Sequence, residues 1–327
     1  PARRLVEAES GDELVAAVAA ADAAGEEVLL IAGGSNLVIA DAGWPGTAVA
    51  VASRGIEERD AGDRVELTAA AGEPWDDLVA RTVDEGLVGL ECLSGIPGSV
   101  GATPIQNVGA YGEEVAAVIA AVRCWDREEG RSLSLAPAEC GFGYRTSRFK
   151  RTDRYVVVSV TFSLARARLG PPVGYAQLAE TLGVKVGARV PAPEAREAVL
   201  DLRRSKGMVV DPDDPDSVSA GSFFTNPILD SDAFTALAAR ADGVPAWPEE
   251  QGRVKTSAAW LIEQAGFSRG YGDGRVGLSA KHTLAIVNRG GGTTAELVAL
   301  AREIRDRVEA AFGVRLEPEP KLVGVAI

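Results

Sequence analysis

Apolar positions recur along the chain in two rhythms. In "GDELVAAVAAADAAG" Leu14, Val15, Val18 and Ala19 share one helical face and Gly25 ends the run, so the spacing predicts a helix. "EVLLIA" then reads as a short buried strand, and "GGSNLVIAD" as a glycine loop on a strand end. "TAVAVA", "DRVELTAAAG" and the helical "PWDDLVARTVDEG" follow, and "VIAAVRCWD" and "RYVVVSVTFSLA" are strands by their β-branched content. "RVPAPEAREAVLDLRRSKG" predicts a helix with proline near its start. "DDPDSVSAGSFFTNP" reads as loop, turning into the next element at Asn226-Pro227, before the helical "TSAAWLIEQAGF" and the strand "TLAIVN". The last periodic run, "TTAELVALAREIRDRVEAAFG", carries a capping box at Thr293 and Glu296, apolar Leu297, Ile304 and Val308, and Gly313 as terminator. Strands and helices do not alternate strictly, which argues for α+β domains rather than one doubly wound sheet.

Composition bounds this picture. The 327 residues suffice for two or three domains, and 46% apolar content supports packed cores. No apolar run is long enough to span a membrane, and the first residues lack the order of a secretory signal, so a soluble, cytoplasmic protein with no membrane partner is expected. The chain begins at Pro1 and its one methionine is Met208, so a native segment ahead of Pro1 is expected. With 47 acidic against 34 basic residues the net charge is -13, and no basic stripe overrides it, which argues against nucleic acid as a partner. An acidic protein can still place a few cations in a pocket for an anionic small molecule. Cys92, Cys124 and Cys140 have neither metal-site spacing nor an even count, and read as buried thiols; no metal is expected.

Several segments carry candidate chemistry. "GDGRVG" (272–277) fits a dinucleotide fingerprint literally, but it follows a helix and leads into a strand, the reverse of the required context, so it reads as a loop. No P-loop or HExxH occurs, and with His282 the sole histidine a Ser-His-Asp triad would have to run through "SAKHTLAIVN". The glycine loops "AGGSNLV" (32–38) and "SGIPGSVGA" (94–102) are each either a tight turn or an anion nest in which backbone N–H groups converge without a Cβ in the way. As a pair they could hold one pyrophosphate from two sides, with Ser35, Asn36, Ser99, Gln106 and Asn107 as polar donors beside them. Arg145 in "FGYRTSRFK" is a carboxylate clamp or a surface cation, and Ser222 in "AGSFFTNP" is a reactive hydroxyl or a turn serine beside core phenylalanines. Glu317 and Glu319 in "LEPEPKLVG" share one side of an expected strand.

Taken in order, "AGGSNLV", "SGIPGSVGATPIQNVGAYG", "FGYRTSRF", "SAGSFFTNP", "KTSAAWLIEQAGF" and "LEPEPKLVG" resemble the UDP-N-acetylenolpyruvoylglucosamine reductase family of flavoenzymes, from about Val28 to Gly324. The resemblance implies an α+β, three-domain flavoprotein of the p-cresol methylhydroxylase and vanillyl-alcohol oxidase type. Residues 1–54 with 314–327 and residues 55–203 would form two FAD-binding subdomains, and 204–313 a UDP-sugar-binding domain. It implies non-covalent FAD held by Ala32, Gly33, Gly34, Ser35, Asn36 and Leu37, and by Gly95, Pro97, Gly98, Ser99, Val100, Gly101, Ala102, Gln106, Asn107, Gly109, Ala110 and Tyr111. It also implies NADPH as reductant and UDP-N-acetylglucosamine enolpyruvate as substrate, reduced to UDP-N-acetylmuramate for peptidoglycan.

Hydride addition to the terminal carbon of an enolpyruvyl ether leaves a carbanion beside a carboxylate, which needs cationic support and then one proton. Arg145 matches the family's catalytic arginine, Ser222 its proton donor and Glu319 its catalytic glutamate. Tyr175 matches a substrate-side tyrosine of the family's longer form, Lys206, Asn226 and Lys255 match positions that hold the UDP diphosphate and sugar, and His282 falls near another. Pro320-Lys321 stands where many members carry Val-Arg, and the family's lead-in before the first helix is missing. An FAD-dependent oxidase of the same fold would often tether its flavin through His or Cys in the first glycine loop, which offers neither. A silent nucleotide-binding module should have lost at least one of Arg145, Ser222 and Glu319.

Overall fold

Every second residue of the strand Arg64–Ala70 is buried, the alternation of a sheet with one face on a core. It belongs to the first of two compact units in the computed structural model, which describes residues 1–327. The first unit comprises Pro1–Gly34 with Trp44–Arg204, and the second Ser35–Gly43 with Ser205–Ile327.

In the first unit a small parallel sheet runs in the order Ala2–Ala8, Trp44–Val51, Val28–Ile31. Helix Gly11–Ala23, capped by the Ser10 hydroxyl on Glu13 N–H, makes the connection from the first of these strands and buries Leu14 and Val18 against Val49 and Val156. The larger sheet is antiparallel, in the order Arg131–Leu135, Ile119–Asp126, Tyr155–Arg166, Arg64–Ala70, Ile56–Asp60, with Leu87–Val88 paired to the long strand Tyr155–Arg166. Helix Trp75–Asp84 covers this sheet, and Trp75 meets Phe162 at 5.8 Å while its indole N–H donates to Leu93 O. Residues 2–51 and 56–166 thus contribute separate sheets to one unit, while Ser35–Gly43 and residues 314–327, expected with the first of them, fall in the second unit. Helix Ala192–Ser205 builds a smaller core with Leu178, Tyr111 and Cys92. All three cysteines are buried and free.

The second unit is organised by helix Thr294–Phe312, whose capping box (Thr293, Glu296) and left-handed Gly313 end it as its sequence predicts. Val298, Ala301, Ile304, Val308 and Phe312 form its buried stripe, and the last four share a core with Phe223, Phe224, Leu261 and Phe267. The Asp41 carboxylate accepts from Thr294 and Ala295 N–H at the helix start, and those bonds hold it below the usual carboxylate range. An antiparallel sheet runs Ser219–Ser222, Ala285–Asn288, Val276–Leu278. Ser219–Ser222 is therefore a strand where loop was expected; Gly and Ser carry little strand propensity, and pairing to Ala285–Asn288 overrides it. The C-terminal strand is shorter than "LEPEPKLVG" suggests: only Lys321–Val323 pairs, in parallel with Leu37–Ile39. Glu317 and Glu319 lie in the extended approach to it, which forms a bridge between Pro318 and Phe224.

Candidate functional site

Gly33 of the first glycine loop and Gly98 of the second come together in the first unit. A Cβ built on Gly33 would stand 3.9 Å from Gly98 Cα, an ordinary van der Waals contact, so the two backbones approach closely at this point. Gly34, at φ +70°, has open space where its Cβ would be. The second loop is stitched to the start of helix Trp75–Asp84: Trp75 N–H donates to Gly98 O, Val100 N–H to Glu73 O and Gly101 N–H to Ala71 O. Gly101 serves this packing, since a Cβ there would lie 2.6 Å from Ala71 Cβ. Gly95 N–H donates to Asp76, which Arg196 grips from the other side. Ala32, Gly33, Gly34, Pro97 and Ala102 are exposed, whereas Gly95, Ser99, Val100 and Gly101 are buried. A glycine cradle open to solvent on one side and braced by a helix start suits a pyrophosphate.

Arg145 lies at the tip of a tight turn in the same unit. Thr146 N–H donates to Gly143 O and Gly143 N–H to Thr146 O, leaving Tyr144 and Arg145 at the corner, with Arg145 at φ +50°. Its guanidinium donates to Gly109 O and lies 5.1 Å from the Tyr144 ring centre. Gly109 and Ala110 form a two-residue strand against Glu113 and Glu114. Tyr175 is exposed and meets the buried Tyr111 edge-on at 5.6 Å. Burial pushes the Tyr111 phenol up to about 12, even with Arg203 nearby, so it stays protonated. Gln106 is half-buried, and Asn107 is buried with its carboxamide bonded to protein groups.

Ser222 and Glu319 both lie in the second unit, linked through the backbone of Phe223. The register of Ser219–Ser222 against its partner slips between Ser219 and Ser222, with Gly221 at φ +73°, an irregularity that re-aims a side chain. The next residue, Phe223, donates its N–H to Leu284 O at 2.7 Å and accepts Glu319 N–H at 2.8 Å, so Glu319 is tied one residue from Ser222. Phe223 and Phe224, buried and edge-on at 5.1 Å, fix this end of the strand in the core. His282 is brought alongside by the turn in which Ala285 N–H donates to His282 O, and Ser222 pairs with Ala285. Burial first, then the cations Lys206 and Arg269, hold the imidazole down at about 4, so it is neutral near pH 7. Asn226 accepts from Ala258 N–H, and Lys255, paired in register with Ile228, bonds Glu249. Ser35, Asn36 and Leu37 also fall in this unit.

Other groups escaped the sequence reading. Glu91 and Glu113 each bury one carboxylate oxygen without a hydrogen-bond partner. Burial, then Glu91, pushes the Glu113 carboxyl up to about 7, and the neighbouring Cys92 thiol is raised as well. Arg289 donates to Gly270, Gly272, Gly274 and Leu278 carbonyls, so the first part of "GDGRVG" is a loop wrapped around one guanidinium, and its last two residues, Val276 and Gly277, open a strand. Neither feature has a local sequence signal, because the partners meet only on folding.

Two family models match the chain: an FAD binding domain over residues 2–136, and the C-terminal domain of UDP-N-acetylenolpyruvoylglucosamine reductase over residues 213–323. The chain is 54% identical to the UDP-N-acetylenolpyruvoylglucosamine reductase of Thermobifida fusca, over 100% of this chain and 94% of that one. It is 55% identical to the same enzyme of Streptomyces coelicolor, over 100% of this chain and 87% of that one. In fold it is similar to the crystal structure of the Thermus caldophilus reductase, with a TM-score of 0.64 at 23% identity, covering 98% of this chain and 91% of that one.

Proposed function

The chain belongs to the UDP-N-acetylenolpyruvoylglucosamine reductase family, and from that premise we propose that it reduces UDP-N-acetylglucosamine enolpyruvate to UDP-N-acetylmuramate with NADPH and FAD, in peptidoglycan precursor synthesis. The observation that carries this reading is 54% identity to a reductase of that name across the whole chain. The apposed Gly33 and Gly98 backbones support the cofactor, since they bring two side-chain-free stretches of backbone side by side, so that one pyrophosphate can lie against both. We read residues 1–54 with 314–327 and residues 55–203 as the FAD-binding subdomains and 204–313 as the UDP-sugar domain. A small-molecule enzyme of this kind works in the cytoplasm without nucleic acid or membrane; no helix of the structure is long and apolar enough to cross a membrane.

Bound FAD supplies hydride chemistry between NADPH and the enolpyruvyl group. The chain's own residues handle the charge and the proton. Addition at the terminal carbon moves an electron pair onto the carbon beside the carboxylate, and the Arg145 guanidinium stabilises that enolate as it forms. The Ser222 hydroxyl gives its proton to the same carbon; a serine is a weak acid, but an enolate carbanion held against it is basic enough to take the proton. Glu319, fixed through Phe223 one residue away, polarises the hydroxyl. Lys206, Lys255 and Asn226 hold the UDP diphosphate and sugar, Tyr175 lies on the substrate side, and neutral His282 offers a hydrogen bond without added charge.

Anaerobic half-reactions test the reading. Yellow protein should bleach with NADPH and recover its colour on adding UDP-N-acetylglucosamine enolpyruvate. A colourless protein that takes up no FAD, or reoxidation by oxygen alone, would overturn it. Ser222→Ala should bleach normally and lose substrate turnover by a factor of about 100 or more, in the range for removing a positioned proton donor. Unchanged turnover would remove Ser222 from the mechanism.

A further inference from the structure

Arg145 holds a backbone conformation that an L side chain rarely adopts, and such strain persists only where the surroundings enforce it. Asn107 is central to that enforcement. It is 1% exposed, and its carboxamide N–H groups donate to Glu114 Oε2 at 2.7 Å and to Gly143 O at 3.1 Å, while its Oδ1 accepts Ala116 N–H at 3.1 Å. Gly143 O is the same carbonyl that closes the Arg145 turn through Thr146 N–H. The amide orientation is forced, because a carboxylate and a carbonyl only accept and a backbone N–H only donates.

We propose that Asn107 is a positioning residue for Arg145: its buried carboxamide locks the 143–146 turn to the 107–116 segment, so that the guanidinium is fixed before substrate arrives. The proposal rests on the role given to Arg145 above. It reassigns Asn107 from the cofactor contact its place in the second glycine loop suggests, since both side-chain polar atoms are engaged with the protein. The turn is pinned elsewhere too: Lys150 Nζ donates to Arg145 O at 2.9 Å, and Ser147 Oγ to Ile105 O at 2.6 Å. Gly109 leaves room for the guanidinium, as a Cβ there would lie 2.9 Å from Arg145 Nη1 and 2.9 Å from Glu113 O. Asparagine suits position 107 twice over. Its φ of +45° lies in the left-handed region, which asparagine tolerates better than other side chains, and its amide both donates and accepts.

The test is polarity reversal in the FAD-loaded protein. Asn107→Asp sets a second carboxylate against Glu114 and removes the donor to Gly143, whereas Asn107→Asp with Glu114→Gln restores the contact between positions 107 and 114 with donor and acceptor exchanged. Asn107→Asp should keep its flavin content, its flavin spectrum and its rate of reduction by NADPH. Its reoxidation by UDP-N-acetylglucosamine enolpyruvate should slow about 100-fold, the scale for a catalytic group displaced by about 1 Å, with kcat affected more than KM. The double variant should recover about tenfold of that loss, a share set by the one restored contact. Asn107→Gly, which keeps the positive φ without strain, serves if the aspartate variant does not accumulate folded. Loss of flavin with normal reoxidation of the loaded fraction would make Asn107 a cofactor contact and overturn the proposal. So would a lowered melting temperature with unchanged reoxidation, or a double variant as slow as the single. Failure of the unmodified protein to be reoxidised by the substrate would instead overturn the functional reading.

Discussion

Glu113→Gln should stabilise the first unit, and by more at high pH than at low. The Glu113 carboxyl is raised from 4.5 to about 7, mainly by burial and next by Glu91, and one of its oxygens has no hydrogen-bond partner. A shift of that size corresponds to about 3 kcal/mol between protonation states. Because the folded-state value is raised, the contribution is fully present below pH 4.5 and is lost as pH rises through 7. About 2.5 kcal/mol of it disappears between pH 5 and pH 8.5. Water at the partly exposed carboxylate makes this an upper value. Glutamine is neutral throughout and can still accept from Cys92, so the variant behaves like the protonated form at every pH. Scanning calorimetry of FAD-loaded protein at pH 5 and pH 8.5 reads the effect. At about 2–4 °C per kcal/mol for a unit of this size, the melting temperature gained by the variant should be about 5–10 °C greater at pH 8.5. Taking the difference between variant and parent at each pH cancels the titrating groups that are not coupled to Glu113. Equal gains at both pH values would refute the reasoning, and Glu91→Gln should weaken the pH dependence of the parent.

Three further outcomes are expected. His282, held at about 4, acts in the opposite sense: its depressed value costs stability as pH falls from 6.5 to 4, by up to about 3 kcal/mol, and His282→Gln should flatten that loss in urea titrations. Arg289→Ala strips a guanidinium from four carbonyls at a cost of about 2 kcal/mol, read as faster tryptic cleavage in the 269–275 loop, and Arg289→Lys should not restore it because one ammonium cannot span the four. Gly33→Val covers bare backbone beside Gly98 with a branched side chain, so the protein should purify colourless with little change in the melting temperature of its apo form; retained FAD would count against the cradle.

Much of the site is legible because its chemistry rides on short motifs. The glycines of "AGGSNLV" and "SGIPGSVGA" announce bare backbone, and the structure brings Gly33 to Gly98 although they are far apart in sequence. Asn107 is the instructive exception. Beside a glycine loop it reads as a ligand donor, and only the folded chain shows its amide engaged by Glu114, Gly143 and Ala116. Ser222 is similar: "SAGS" has no strand rhythm, and the partner that makes it a strand lies at Ala285–Asn288.

The sequence by itself determined the elements whose signals are local: the capped helix Thr294–Phe312, the β-branched strand Tyr155–Arg166, and which segments carry glycine backbone, cationic, hydroxyl and carboxylate groups. Capping, periodicity and functional-group chemistry depend on residues within a few positions, so they survive without a fold. Tertiary structure alone decided the Glu91–Glu113 charge conflict, the Arg289 clamp, the tie between Phe223 and Glu319, and the left-handed turn that presents Arg145. Each depends on desolvation or on a hydrogen bond between distant segments. Those energies do not exist until the segments meet.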